Sequence, residues 1–247
     1  MKYMISGFLA LSFTVAPLCA QTTAVQPVPA TADNVAPEGF TQLFNGKDLS
    51  NWKGVMLPPN DKPHVRAKLE ASKATELQAK ADKVMTSHWS VTDKGELFFD
   101  GKKGGFSLAT AKQYKNFEFH VSWKIEQHGD SGVYLRGLPQ IQIWDTESKQ
   151  CQRHGAAKGS GALWNNPKLG KWPMVKADKV AGEWNHFFVR MVDDKVSIWL
   201  NGKQTVEAAP LTNLWQKGKA IPAQEQIELQ CHGHPIWFKN IYIKELK

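Results

Sequence analysis

Between Phe117 and Glu126 the chain reads FEFHVSWKIE, with Phe117, Phe119, Val121, Trp123 and Ile125 alternating against Glu118, His120, Ser122, Lys124 and Glu126. A period of two is that of a β-strand with one face in a core. The same period governs most of the chain on either side of it. WSVTDKGELFFDG reads as a hairpin about a Gly turn, and WNHFFVRMV, DD and KVSIWLNGK as strand, turn, strand and a second turn at Asn201-Gly202. QIELQCHG and IWFKNIYIKEL supply two more strands around Gly233 and Pro235. Residues 63–87 differ: they are rich in Ala, Lys, Glu and Leu, and Val65, Leu69, Leu77, Ala81 and Val84 form a stripe at helical spacing. Many strands, frequent Gly and Asn turns and one helix inserted on the side predict an all-β fold, an antiparallel β-sandwich.

The flanking segments set the boundaries. MKYMISGFLALSFTVAPLCA has Lys2, a short apolar run and then small residues, which predicts a secretory signal peptide over 1–20, cut after Ala20. Lipidation at Cys19 is the alternative, but Leu18 precedes it poorly. QTTAVQPVPATADNVAP, residues 21–37, reads as a flexible linker, and the sandwich domain as 38–247, with first core candidates Phe40, Leu43, Phe44, Leu49 and Trp52. No later run approaches the ~20 apolar residues of a membrane span. These features predict a periplasmic or secreted protein.

The whole chain carries 31 basic and 23 acidic residues. Removing Lys2 with the leader leaves 30 against 23, or +7. The lysines are scattered, with no dense run and no recognition helix, so the charge speaks for solubility, and at most for attraction to anionic polysaccharide, not for nucleic acid. Only Cys151 and Cys231 follow the leader; export permits a disulfide between them, but two cysteines do not make a framework.

SGVYLRGLPQIQIWD, Ser131 to Asp145, holds the chemistry. With a period of two, Val133 and Leu135 face the core and Tyr134 and Arg136 the other way. Past a turn at Gly137–Pro139, Ile141 and Ile143 face the core and Gln140, Gln142 and Trp144 the polar side. Near the end, Ile227, Leu229 and Cys231 alternate with Glu228, Gln230 and His232. If these strands share a sheet, one face shows Tyr134, Arg136, Gln140, Gln142, Glu228, Gln230 and His232. Planar amides, an Arg and an aromatic suit the vicinal hydroxyls of a sugar. Of the ten tryptophans, Trp123 and Trp237 read as core; Trp144, Trp164, Trp172 and Trp215, in or beside loops, are candidates for stacking on a sugar.

Several familiar chemistries are disfavoured. Direct glycoside hydrolysis needs two carboxyls flanking the bond, yet the alternate positions of this strand hold Gln140, Gln142 and Trp144, with only Asp145 at its end. GDSG, Gly129 to Gly132, lacks a following Gly and an upstream His in a matching context, so it reads as a turn rather than a protease nucleophile. In CHGH, residues 231–234, alternation sends Cys231 and His232 to opposite faces, so they do not easily share an ion. A divalent metal held partly by Asp145 and a His remains open.

GFTQLFNGKDLSNWKG, GDSGVYLRGLPQIQIWD, GSGALWNNP, AGEWNHFFVRMVDDKVSIWLNGK and IELQCHGHPIWFKNIYIKEL, in that order, resemble the 3-keto-disaccharide hydrolase domain family over Glu38 to Lys247. The resemblance implies a concanavalin A-like jelly-roll β-sandwich in exported proteins that act on sugars. Many members read Glu-x-Gln-x-x-Asp where this chain has Gln140, Gln142 and Asp145, so no carboxylate stands at the first of those positions. The implied activity explains a face poor in acids. A ketone at C3 acidifies the C2 proton, one base removes it, the C1 substituent leaves, and water adds back. On that reading Arg136, helped by Gln142, contacts the enolate side. The base is His232, Glu228 or Asp145, in that order of preference, and Tyr134, Gln140, Trp144, Trp164 and Gln230 bind the carbohydrate. A non-catalytic carbohydrate-binding module using the same face is the alternative.

Overall fold

The computed structural model describes residues 32–104 and 107–247. The signal peptide expected over 1–20 lies outside them, as does most of the linker expected over 21–37. Asp33 and Asn34, inside that expected linker, are held against the domain. Asp33 pairs with Lys239 at 2.6 Å, and Asn34 exchanges hydrogen bonds with Asn240 and donates to Gly95 O.

The strands are β1 (Thr41–Gln42), β2 (Trp52–Gly54), β3 (Trp89–Val91), β4 (Leu97–Asp100), β5 (Leu108–Thr110), β6 (Phe117–Ile125), β7 (Asp130–Leu135), β8 (Leu138–Trp144), β9 (Asn185–Val192), β10 (Lys195–Leu200), β11 (Lys203–Pro210), β12 (Glu228–Leu229) and β13 (Pro235–Glu245). They form two antiparallel sheets. The larger runs β11-β10-β9-β6-β13-β4-β3 with β1 beside β13, and the smaller runs β2-β5-β12-β7-β8. Odd-numbered side chains of β6, all at most 1% exposed, meet Val133, Leu135, Ile141, Ile143, Ile227 and Leu229 of the smaller sheet in one core. That is the predicted sandwich.

The polar side of β6 is also covered. His120 lies 1% exposed between Phe40 and Phe188, and its Nδ1 is 2.9 Å from His186 Nε2. Trp237, expected in the core, instead stacks on Phe98 at the outer face, because Ile236 and Phe238 take the inward positions. The predicted single helix is two, α1 (Pro63–Arg66) and α2 (Ala71–His88). The longer one buries Ala81 and Met85 and packs on β2, where a Cβ on Gly54 would come within 2.3 Å of Ala81 O. No disulfide joins Cys151 to Cys231, since the two sit in separate clusters and Cys151 Sγ approaches His128 O and Gly129 O at 3.5 Å. Among the described residues no helix is long and apolar enough to cross a membrane.

Candidate functional site

The outward face of the smaller sheet carries one rung across all five strands. Lys53 is opposite Ala109, Ala109 opposite Glu228, Glu228 opposite Tyr134, and Tyr134 opposite Gln140. Neighbouring strands lie ~4.8 Å apart, so Glu228, Tyr134 and Gln140 are consecutive neighbours. Ala109 and Gly132 keep the floor low, and a Cβ at Gly132 would press on Ile141 O at 2.9 Å and on Gln140 at 3.0 Å. Gln230 follows Glu228, donating its backbone N–H to Gly132 O and its Nε2–H to the Tyr134 hydroxyl oxygen at 3.2 Å.

Over this floor close two segments from elsewhere in the chain. Residues 55–66 bring Val55, Pro58 and Asp61, and the loop before β12 brings Trp215. With Ser107, Tyr134, Gly137, Glu228, Gln230 and Cys231 they enclose a hollow of about 120 Å³. Trp215 is held by its Nε1–H on Gly137 O at 2.8 Å, with Lys62 Nζ over the ring at 5.4 Å.

Charge is concentrated beneath the cap. Glu228 is 7% exposed, and burial pushes its carboxyl up to about 7, helped by Glu225 and Asp61 and opposed by Arg66. Arg66 Nη2 lies 3.4 Å from Glu228 Oε1 and 3.7 Å from Glu225 Oε1, while Nη1 donates to Asp61 O. Burial, then the nearby Arg66, lowers the Lys53 ammonium. The Tyr134 phenol is raised by burial and by the carboxylates of Glu228, Asp130 and Asp61, so it keeps its proton. Since its oxygen accepts from Gln230, that proton can point into the hollow. Asp61 Oδ1 and Gln230 Oε1, which line the hollow, and Gln140 Oε1 on the rung are buried without a hydrogen-bond partner among the described residues. All three are acceptors. They can accept from the hydroxyls of a ligand or from water.

Not every residue expected on this face is there. Arg136 does not extend the strand: β7 and β8 are joined by the two-residue turn Arg136-Gly137, with φ of 51° and 63°. Positive φ at both positions is the signature of a tight hairpin. The turn carries the guanidinium away from Tyr134. Arg136 is 2% exposed and donates to Ala223 O at 2.6 Å and to Asp193 O, tying the hairpin to the turn after β9. Asp145 is spent on a turn, accepting from His128 N at 2.8 Å and Glu147 N at 3.1 Å. Gln142 is on the face but engaged, accepting from Gln140 Nε2 at 2.6 Å and donating to Asp130 Oδ1 at 2.7 Å. His232 is more than half exposed, 3.8 Å from Asp130 Oδ2 and not among the residues lining the hollow.

The tryptophans divide similarly. Trp144, 4% exposed, packs edge-to-face against Trp164, which meets Trp172 in the same way, and Lys171 and Lys158 cover the latter two. Only Trp215 of the four loop candidates lines the hollow. Among the described residues no three His, Cys, Asp or Glu side chains gather to hold a metal, and Asp145 with a His does not form such a group. Asp61, Arg66, Lys53 and Glu225 were absent from the expected set. Arg66 falls in the segment 63–87 read as a side insertion, and Asp61 lies just before it.

Known proteins resemble this chain in sequence and in fold. The model of a family described as a 3-keto-alpha-glucoside-1,2-lyase-like domain matches residues 39–244. A 3-keto-disaccharide hydrolase of Bacteroides thetaiotaomicron is 23% identical over 290 aligned residues, covering 96% of this chain and 87% of that protein. Two solved structures from Parabacteroides distasonis, both described as candidate glycosyl hydrolases, share the fold. One has a TM-score of 0.56 at 24% identity and covers 87% of this chain and 100% of its own. The other has 0.52 at 26%, over 65% and 91%. From Gly39 to Lys244, then, the chain belongs to the 3-keto-alpha-glucoside-1,2-lyase-like domain family.

Proposed function

We propose that this carbohydrate-active enzyme cleaves 3-keto-glycosides by elimination and hydration at the Glu228–Tyr134 hollow. The observation that carries the reading is a buried carboxyl titrating near 7, beside a phenol that keeps its proton, in a cavity lined by unpartnered acceptors. Glu228 takes the C2 proton. Its midpoint near neutrality makes it a stronger base than an ordinary carboxylate while leaving much of it ionised. Tyr134 donates to the C3 oxygen as negative charge builds there, a role for a preorganised donor in a dry site. Arg136, tied into the hairpin, has no part in this, and the base passes from the exposed His232 to Glu228.

The step balances without an oxidant. The C2–H bond breaks to Glu228, the electron pair forms C1=C2, and the C1–O bond breaks with the leaving oxygen taking the proton from Glu228. Water then adds its oxygen to C1 and a proton to C2. Asp61 and Gln230 accept from ring hydroxyls, and Arg66, itself held by Glu225, keeps Glu228 in place.

Incubation with a 3-keto-glucoside tests the reading through release of the alcohol. Release that is lost in Glu228→Gln supports it, whereas binding without release makes the protein a carbohydrate-binding module. The signal peptide expected over 1–20 points to export to the periplasm or medium, and a mature amino terminus at Gln21 is the expected product.

A further inference from the structure

The positive charge of the chain is gathered in one excursion between β8 and β9. From Ser148 to Gly182, seven lysines and arginines are set against one acid, Asp178, a net +6 in a chain whose total is +8. Asp178 is turned inward, where its carboxylate accepts from Ser160 N at 3.1 Å. Glu147, just before this stretch, pairs with Lys176 at 2.7 Å. Among the described residues the other six cations have no acidic partner.

Two of them converge on one aromatic surface. Trp164 and Trp172 meet edge-to-face at 5.1 Å, and Trp164 meets Trp144 in the same way. A short 3₁₀ turn, Ala156–Lys158, brings Lys158 Nζ 3.9 Å from the centre of the Trp172 ring. Lys171 Nζ lies 4.8 Å from the Trp164 ring and 5.8 Å from that of Trp172. Gly155 permits this packing, because a Cβ there would sit 2.4 Å from the Trp172 ring. Each ammonium gains from the ring face beside it. Even so, two like charges gather round one ring with no carboxylate paired to either, and an anion docking there relieves their repulsion. Glu207 shares a hollow of about 270 Å³ with Trp172, but forms no ion pair with these lysines.

The place of this surface in the fold indicates what kind of anion it takes. Trp144 follows Gln140 and Gln142 on the outward side of β8, so the surface continues the face that carries the Glu228–Tyr134 hollow. Four strand residues, ~13 Å, separate Gln140 from Trp144. That is the reach of a chain of sugars, not of one ring. Leu169 and Met174, 66% and 59% exposed in the hollow beside Trp172, offer the C–H face of a sugar ring an apolar contact. A chain with one carboxylate per ring keeps such a face free, whereas a densely sulfated chain does not.

We infer that the Lys158–Lys171–Trp172 surface docks a uronate-bearing polysaccharide and holds it alongside the cleavage hollow. That the polyanion is a carbohydrate rests on the proposed function; the docking uses none of the groups that act on the keto-sugar. Calorimetry of the full chain with a decamer of 1,4-linked galacturonate is the test. The decamer binds at low salt and weakens about tenfold or more on raising the salt to about 0.2 M. A neutral maltodextrin of the same length binds about tenfold less tightly or worse. Lys158→Gln with Lys171→Gln lowers the affinity about 3- to 30-fold, the worth of two ion pairs, and leaves turnover of methyl 3-keto-glucoside within about twofold. Lys83→Gln with Lys94→Gln removes the same charge from α2 and the β3–β4 turn and changes the affinity less than about twofold. Glu228→Gln binds the decamer as the parent does, so failure of the cleavage reaction leaves this inference standing. Equal losses in the two lysine pairs, equal affinity for the maltodextrin, or no binding at low salt overturns it. Tighter binding of heparin or single-stranded DNA of equal charge also overturns it and assigns the surface to that polyanion.

Discussion

Replacing Glu228 with Gln should disable the enzyme and stabilise the protein at once. The folded state holds the carboxyl proton more tightly than the unfolded chain, with a midpoint near 7 against an ordinary 4.5. A raised carboxyl pKa costs stability as pH climbs through that window, so the penalty is absent below about 4.5 and complete above about 7. At about 1.4 kcal/mol per pH unit the full cost is about 3 kcal/mol, with the opposing attraction of Arg66 already included. The Gln side chain keeps the shape and removes the charge, and Arg66 retains Glu225 at 3.7 Å. Urea melts followed by tryptophan fluorescence at pH 5 and pH 8 measure the effect. With a slope of about 2 kcal/mol/M, the variant's midpoint should gain on the parent's by about 1 M or more between the two pH values. Turnover of a 3-keto-glucoside should fall by about 10²–10⁴. A variant that loses stability at pH 8 would rule this out, because Glu228 would then be a stabilising partner of Arg66 with an ordinary midpoint and no special basicity.

Further consequences can be measured separately. The kcat/KM of the parent should rise with pH through about 7 and level off above it, since the base works only when ionised. Tyr134→Phe should fold normally and lower kcat by about 10²–10³, the usual cost of removing one oxyanion donor; an unchanged kcat would move the stabilising role elsewhere. Arg136→Ala should destabilise by about 2–4 kcal/mol, because Ala223 O and Asp193 O lose a buried partner, while turnover per folded molecule stays within about twofold. His232→Ala, at an exposed position off the hollow, should change kcat less than threefold in an ordinary coupled assay. A loss comparable with that of Glu228→Gln would restore the imidazole as the base.

Strand parity was the legible part of the site. Tyr134, Gln140, Glu228 and Gln230 share a face as their even numbering requires, since a partner core at Val133, Ile141, Ile227 and Leu229 leaves no other orientation. Parity misled where the strand ended sooner than its hydrophobic pattern. Arg136 looked like the next even residue, but Arg136-Gly137 is the turn, and left-handed backbone at a non-glycine residue is hard to foresee. Trp144 has the expected parity yet is roofed by Trp164 and the segment carrying Trp172, which no local pattern reveals. The cap was harder still. Asp61, Arg66 and Trp215 meet the sheet only through tertiary packing of the segments that follow β2 and precede β12, and their local spacing encodes surface helix and loop.

If one base removes the C2 proton before the C1 bond is lost, cleavage in D₂O must leave its mark on the sugar. A methyl 3-keto-glucoside is the substrate, and NMR of the sugar at early times is the readout, with a no-enzyme control for spontaneous exchange. One solvent deuterium should appear at C2 of the released sugar, formed at the rate of methanol release and lost with Glu228→Gln. Methanol release that leaves the original hydrogen at C2 would mean direct displacement at C1, and elimination would be excluded.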